Sequence, residues 1–482
     1  QILVYHLILI VISAEVNHPD RVINFPGAPS SPSFPLYSGY IKVDIEDARH
    51  NIFYVLCEAI HSDPLQSPLV VWLNGGPGAS SLIRFLMENG PYKLREDGSL
   101  QYNDFSLNQY TNVLYIESPS SVGFSYSNKL IERYNDKIIA NLNVKMLNEF
   151  MTRVHPRYAN REFFLTGESY AGSYIPYLAV AIYDGLSNGT FTNDQFKGIA
   201  IGNACIDIYS KRLSVAVQMH GAGFVPQKHS AKLRQQWLEW QEGLTNFDGS
   251  LHSAYALDKD LIETYDSWLF KPVFDTRSSY NLHAVFEEDE SEEIWHISRP
   301  RKDLEWTMVN IMADFMNRAD VQMALHAIDN ENSTRHWEAF NRPLFKNFNY
   351  YPYDTVQLYS NILALATDNF RLLFYSGDLD LVCSALHVSH GTNIIAHRNR
   401  FEEVNAGPKV WAYLGDFAGA QSSYKLRNSN ITMDVLTVRG AGHFVLVNQP
   451  SRAFQIFNNF LFSNEAPIDY SKKIRRRKHI DF

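Results

Sequence analysis

The stretch Gly167-Glu168-Ser169-Tyr170-Ala171-Gly172 sets one serine among small residues. Residues 161–166 before it read as a short buried strand, and residues 170–183 after it have the spacing and length of a helix. A serine on so tight a strand-to-helix turn is held out of the sheet, where its hydroxyl can attack an acyl carbon. The turn needs small neighbours. Ala171 stands where such turns usually have glycine, and Gly172 follows it. An ordinary surface turn could contain the same residues, so the serine needs partners. Its hydroxyl is a weak nucleophile until a histidine can take the proton, and the histidine needs a carboxylate to orient it. Two later loops supply them in the order Ser, Asp, His, each after an apolar strand: Ser376-Gly377-Asp378-Leu379-Asp380 and Gly440-Ala441-Gly442-His443. Among 17 histidines, one in a glycine turn between a strand and an apolar segment stands out.

The elements that must position these groups are legible around them. Residues 69–73 form a continuous apolar run, as expected of a central parallel strand covered on both faces. The run leads directly into Asn74-Gly75-Gly76-Pro77-Gly78. Residues 113–116, 198–202, 372–375 and 435–438 read as further buried strands, 40–44 and 53–56 as antiparallel edge strands, and 137–153 as a helix. From 206 to 309 the chain turns polar and helix-prone, without runs suited to a central strand. The expected organisation is an α/β fold with a central mixed, mostly parallel sheet. Its core spans 20–205 and 310–465, interrupted by a mainly helical cap at 206–309, with a basic tail at 466–482.

The 482 residues, 45% hydrophobic and 13% aromatic, are ample for a large core, and a net charge of −9 argues against nucleic-acid binding. Residues 1–14 resemble the remnant of a signal peptide, and no further segment is apolar and long enough to span a membrane. Sequons at Asn188, Asn332 and Asn430 agree with a secretory route, giving a secreted or lysosomal protein. The acidic run 287–293 reads as a solvated loop, with proteolytic processing as the sharper alternative. Cys57, Cys205 and Cys383 allow at most one disulfide, and their pairing stays open, as does the oligomeric state, for which a homodimer is one reading.

Taken together, Trp72-Leu73-Asn74-Gly75-Gly76-Pro77-Gly78-Ala79-Ser80-Ser81, the turn around Ser169, the loops at 376–380 and 440–443, and Val122-Gly123-Phe124-Ser125-Tyr126-Ser127 resemble the serine carboxypeptidase family, in the manner of lysosomal carboxypeptidase A (cathepsin A). The similarity covers roughly residues 20 to 465 and is weakest across the cap. The resemblance implies an α/β-hydrolase fold and release of C-terminal residues from peptides and proteins through an acyl-enzyme, with no metal or organic cofactor.

It implies Ser169 as nucleophile, His443 as general base and then acid, and Asp380 as the third member, with Asp378 supporting its loop. The N–H groups of Gly76 and Tyr170 would form the oxyanion hole. Asn74, Glu88 and Glu168, with the Gly75 N–H, would hold the substrate's terminal carboxylate. Two carboxyls can do so if they hold a proton and donate it in a hydrogen bond, which predicts tighter binding at acidic pH. Ile83, Met87 and Phe444 match positions around the leaving residue and imply a preference for apolar side chains; Cys383 matches a free cysteine there, open to mercurials. Ala79, Arg84, Leu107, Ser121, Ala204 and Leu446 depart from the pattern. Arg84 bears most on function, as a long cation where the pattern has glycine. Other readings are an acyltransferase on the same fold and a non-catalytic binding or stabilising partner.

Overall fold

The computed structural model describes residues 18–129, 133–206, 302–328, 334–350 and 355–473, together with 214, 217, 218 and 221. The expected signal segment, Asn332, the acidic run, nearly all of the expected cap and the tail beyond 473 lie outside the described residues.

The strands are β1 (Leu36–Ile45), β2 (Ala48–Cys57), β3 (Leu69–Leu73), β4 (Tyr92–Leu94), β5 (Leu100–Tyr102), β6 (Asn112–Ile116), β7 (Tyr126–Ser127), β8 (Phe163–Glu168), β9 (Phe196–Gly202), β10 (Arg371–Gly377), β11 (Phe401–Glu403), β12 (Lys409–Tyr413), β13 (Asp416–Leu426) and β14 (Thr432–Val438). The main sheet has the order β1-β2-β6-β3-β8-β9-β10-β14-β13-β11, with β7 on β2 and β12 on β13, while β4 and β5 pair separately. From β6 to β14 neighbouring strands run parallel, and the outer pairings are antiparallel. This is the mixed sheet of an α/β-hydrolase.

Strand β3 shows why the central runs are apolar throughout. Leu69, Val71 and Leu73 join the core on one face, and Val70 and Trp72 the core on the other. Strand β10 alternates likewise, with Leu372 and Phe374 on the first face and Leu373 and Tyr375 on the second. On the first face pack the helices Asp136–Glu149, Ala171–Asn188, Thr355–Leu365 and Ala385–Arg398, through residues such as Met146, Ile175, Tyr359 and Ile395. On the second lie Leu82–Met87, Lys302–Met316 and Pro450–Phe462, through Phe85, Phe315 and Phe457. Fully burying one such side chain stabilises the fold by roughly 1.5–3 kcal/mol.

The helix expected at 137–153 is Asp136–Glu149, its first turn capped by Asn135, whose side chain accepts from the Ile138 N–H; a π-turn at Phe150–Val154 continues it. The helix Lys302–Met316 runs across the boundary expected between residues 309 and 310, where the cap would end and the second core segment begin.

Because β8, β9, β10 and β14 are parallel neighbours, their C-terminal ends form one edge. The loops carrying Ser169, Asp380 and His443 all leave from that edge.

Candidate active site

Ser169 has φ of 61°, a left-handed conformation uncommon for a residue with a side chain. Its N–H donates to the Gly202 carbonyl at 2.9 Å, and its carbonyl accepts from the Gly172 N–H at 2.9 Å and the Cys205 N–H at 3.0 Å. The need for small neighbours is steric. A Cβ on Gly167 would lie 2.2 Å from the Leu73 carbonyl oxygen and 2.7 Å from Ala171 Cβ, and one on Gly172 would lie 2.8 Å from the Cys205 nitrogen. The elbow is therefore wedged against both β3 and the loop after β9.

His443 Nδ1 lies 2.8 Å from Asp380 Oδ2, with both side chains almost fully buried. Asp380 is held from several sides: Asn203 Nδ2 donates to Oδ2 at 2.5 Å, the Cys383 N–H to Oδ2 at 3.2 Å, and the Val382 N–H to Oδ1 at 2.7 Å. These bonds aim Oδ2 at the imidazole and fix Nδ1 as the protonated nitrogen, leaving Nε2 able to accept a proton. Asp378 accepts the Gly440 N–H at 2.8 Å, so it supports the loop carrying His443. A Cβ on Gly377 would fall 2.2 Å from the carbonyl oxygens of both Ala441 and Gly442, which shows how closely the two loops approach.

Asn203 was not singled out from the sequence. Its signal is its place: it follows β9, between the elbow strand and the strand leading to Asp380, and it adopts φ of 43°.

The loop after β3 packs on the elbow with no room for a side chain. A Cβ at Gly75 would stand 2.5 Å from the Tyr170 nitrogen, and Gly76 has φ of 113°, which favours glycine. Thus the backbone of Gly75 packs against the Tyr170 N–H, with Gly76 next to it in the chain. The loop is braced by Ser80, whose hydroxyl donates to Glu117 and whose N–H donates to Ala339 at 2.9 Å. Glu117 also accepts from the Phe124 N–H at 2.6 Å and Trp337 Nε1 at 3.1 Å. Burial pushes its carboxyl up to about 7 despite these donors.

Asn74, Glu88 and Glu168 are buried together, and Arg84 joins them. Its Nε lies 2.8 Å from Glu88 Oε2 and 3.3 Å from Asn74 Oδ1, its Nη2 pairs with Glu168 Oε1, and its Cζ stands 4.0 Å over the Phe444 ring. Desolvation raises the Glu88 carboxyl and raises that of Glu168 well above the usual range, with Arg84 pulling both the other way. The three side chains expected to hold a substrate carboxylate, Asn74, Glu88 and Glu168, are gathered around a guanidinium. Two carboxyls from different elements attract one long cation, which a motif alone does not reveal.

Ile83, Met87 and Phe444 are half-buried, and Phe444 abuts the His443 ring with centroids 5.2 Å apart. Cys383 is not a free thiol: it is fully buried and forms a disulfide with Cys205, so the cysteine left free is Cys57, also buried. The bridge fastens the loop beneath Ser169 to the loop of Asp380.

The residues that could do chemistry thus converge from five loops. The serine carboxypeptidase family model matches residues 26–463. A serine carboxypeptidase of Caenorhabditis elegans, ctsa-4.1, is 29% identical over 95% of both chains. The lysosomal protective protein of Mus musculus is 29% identical over 93% of this chain and 94% of its own, and serine carboxypeptidase-like 46 of Arabidopsis thaliana is 32% identical over 97% of each. Among solved structures, the prohormone-processing carboxypeptidase Kex1(Δ)p of Saccharomyces cerevisiae superposes with a TM-score of 0.70 at 21% identity, covering 90% of this chain and 94% of its own. With its sheet, its edge of loops and a family model spanning nearly its whole length, this chain belongs to the serine carboxypeptidase family.

Proposed function

We propose that the protein hydrolyses the C-terminal peptide bond of peptides and proteins through an acyl-enzyme on Ser169. The observation that carries this reading is the buried 2.8 Å contact between His443 and Asp380 on the sheet edge that also presents Ser169 with φ of 61°. Ser169 Oγ attacks the scissile carbonyl carbon as His443 Nε2 takes its proton. Asp380 holds the ring and stabilises the imidazolium. The N–H groups of Gly76 and Tyr170 receive the oxyanion, where one donor is worth about 10²–10³ in rate. His443 then gives the proton to the leaving amine nitrogen, the C–N bond breaks, and a water activated by the same histidine releases the acyl group. Asn74, Glu88 and Glu168 bind the substrate end beyond the bond, and Ile83, Met87 and Phe444 line the seat of the departing side chain.

The protein travels the secretory pathway in this reading. Asn188 and Asn430 are exposed and available for glycosylation, and a disulfide suits an oxidising compartment. Among the described residues no helix is long and apolar enough to cross a membrane.

A fluorophosphonate reporter tests the nucleophile. It should label the wild-type protein stoichiometrically and leave Ser169→Ala and His443→Ala unlabelled. A folded wild-type protein that fails to label contradicts the hydrolase and leaves a binding partner on the same fold.

A further inference from the structure

Arg84 is 5% exposed, and it lies on the helix Leu82–Met87 directly after the glycine loop that packs on the elbow. It is paired with Glu168, the residue immediately before Ser169, and stacked on Phe444, the residue immediately after His443. A guanidinium is costly to bury, and one carboxylate would compensate it. Here two converge on it, and burial favours their uncharged forms, so the guanidinium is the cluster's constant charge. Arg84 takes one oxygen of each glutamate, Glu88 Oε2 and Glu168 Oε1, and the Leu446 backbone N–H also acts on Glu88. The cluster thus sets a buried cation one residue to either side of the reacting groups, where the end of a bound substrate would lie.

We propose that Arg84 is a specificity-determining residue for the hydrolysis described above, binding the substrate's terminal carboxylate through its fixed positive charge at neutral as well as acidic pH. The inference rests on the carboxypeptidase reading. A planar guanidinium matches a carboxylate through paired N–H donors and keeps its charge throughout the working range. Glu88 and Glu168, by contrast, can donate only while protonated. Other charged or titratable groups face the cluster from its surroundings: His443 and Lys93 act on Glu88, Asp380 on Glu168, and Tyr375 adjoins all three members. His443 must itself be neutral to accept the serine proton. The pH response of turnover therefore mixes several groups, and discrimination between substrates is the cleaner readout.

The test measures kcat/KM for an N-blocked dipeptide acid and for its C-terminal amide, at pH 5 and pH 7.5. In the wild type the acid-over-amide ratio stays within about threefold between the two pH values. In Arg84→Met the ratio falls about 10–100-fold, the worth of a lost charge-assisted bond. Arg84→Lys, which keeps the charge and loses the fork, falls between. Fluorophosphonate labelling of each variant verifies a folded, reactive site. A ratio unmoved by Arg84→Met, or a wild-type ratio that collapses at pH 7.5, overturns the inference and makes Arg84 a structural counter-ion. Improved cleavage of the acid by Arg84→Met at both pH values also overturns it, by showing that the arginine plugs the seat. If the wild type is labelled yet cleaves neither substrate, the carboxypeptidase reading itself has failed.

Discussion

Replacing Glu117 with glutamine should change how the protein's stability depends on pH, and the size of the effect follows from its surroundings. The carboxyl is fully buried and accepts from Ser80, the Phe124 N–H and Trp337 Nε1. Three donors favour a carboxylate, but the cost of burying the charge is larger and lifts the group from its ordinary 4.5 to about 7. The folded protein therefore binds a proton there more tightly than the unfolded chain does. That contribution to stability is full below 4.5, shrinks as pH rises, and is gone above about 7. The interval corresponds to about 3.4 kcal/mol at most. Glutamine cannot ionise, so it removes this dependence. It also brings an N–H₂ group among three donors, so one loses its acceptor, at a pH-independent cost of about 1–3 kcal/mol. Urea unfolding of both proteins at pH 5, 6, 7 and 8 reads the difference. The wild type should lead clearly at pH 5, with the gap narrowing by up to about 3 kcal/mol toward pH 8. A gap that stays constant across the series refutes the claim that Glu117 is held protonated under the loop after β3.

Three further outcomes follow from the site. Asp380→Asn should leave the fold intact and lower kcat by about 10⁴, because the amide cannot hold Nδ1 as the protonated nitrogen; a loss below tenfold would contradict that role. Gly377→Ala places a Cβ 2.2 Å from two carbonyl oxygens of the His443 loop, so kcat should fall about 10²-fold with KM less affected, and an unchanged kcat would show that the loops move apart freely. An organomercurial should leave the activity of the oxidised protein intact, since Cys383 is bonded to Cys205 and Cys57 is buried; stoichiometric inhibition without a reductant would refute the bridge.

Much of the architecture is readable in the chain because the central strands are buried on both faces, which forces runs such as residues 69–73 to be apolar throughout. The elbow is readable because its sterics admit only small residues at 167 and 172. Strand β13 gives no such signal: Asp416–Leu426 is mixed, with Gly419, Gln421 and two serines, and it lies toward the edge of the sheet, half in solvent. The Cys205–Cys383 bridge spans 178 residues, and three cysteines permit three pairings, so only the approach of two loops selects one. Asn203 and Arg84 were harder still. Each acts through partners on other elements, and a long side chain such as arginine chooses them only after the fold has brought the charges together.

The most direct test of the proposed activity is hydrolysis of the N-blocked dipeptide Z-Phe-Leu-OH beside its C-terminal amide, with Ser169→Ala as control. The account predicts rapid release of leucine from the acid, little or none from the amide, and none in the control. Equal cleavage of acid and amide, or acid cleavage that survives Ser169→Ala, would contradict it.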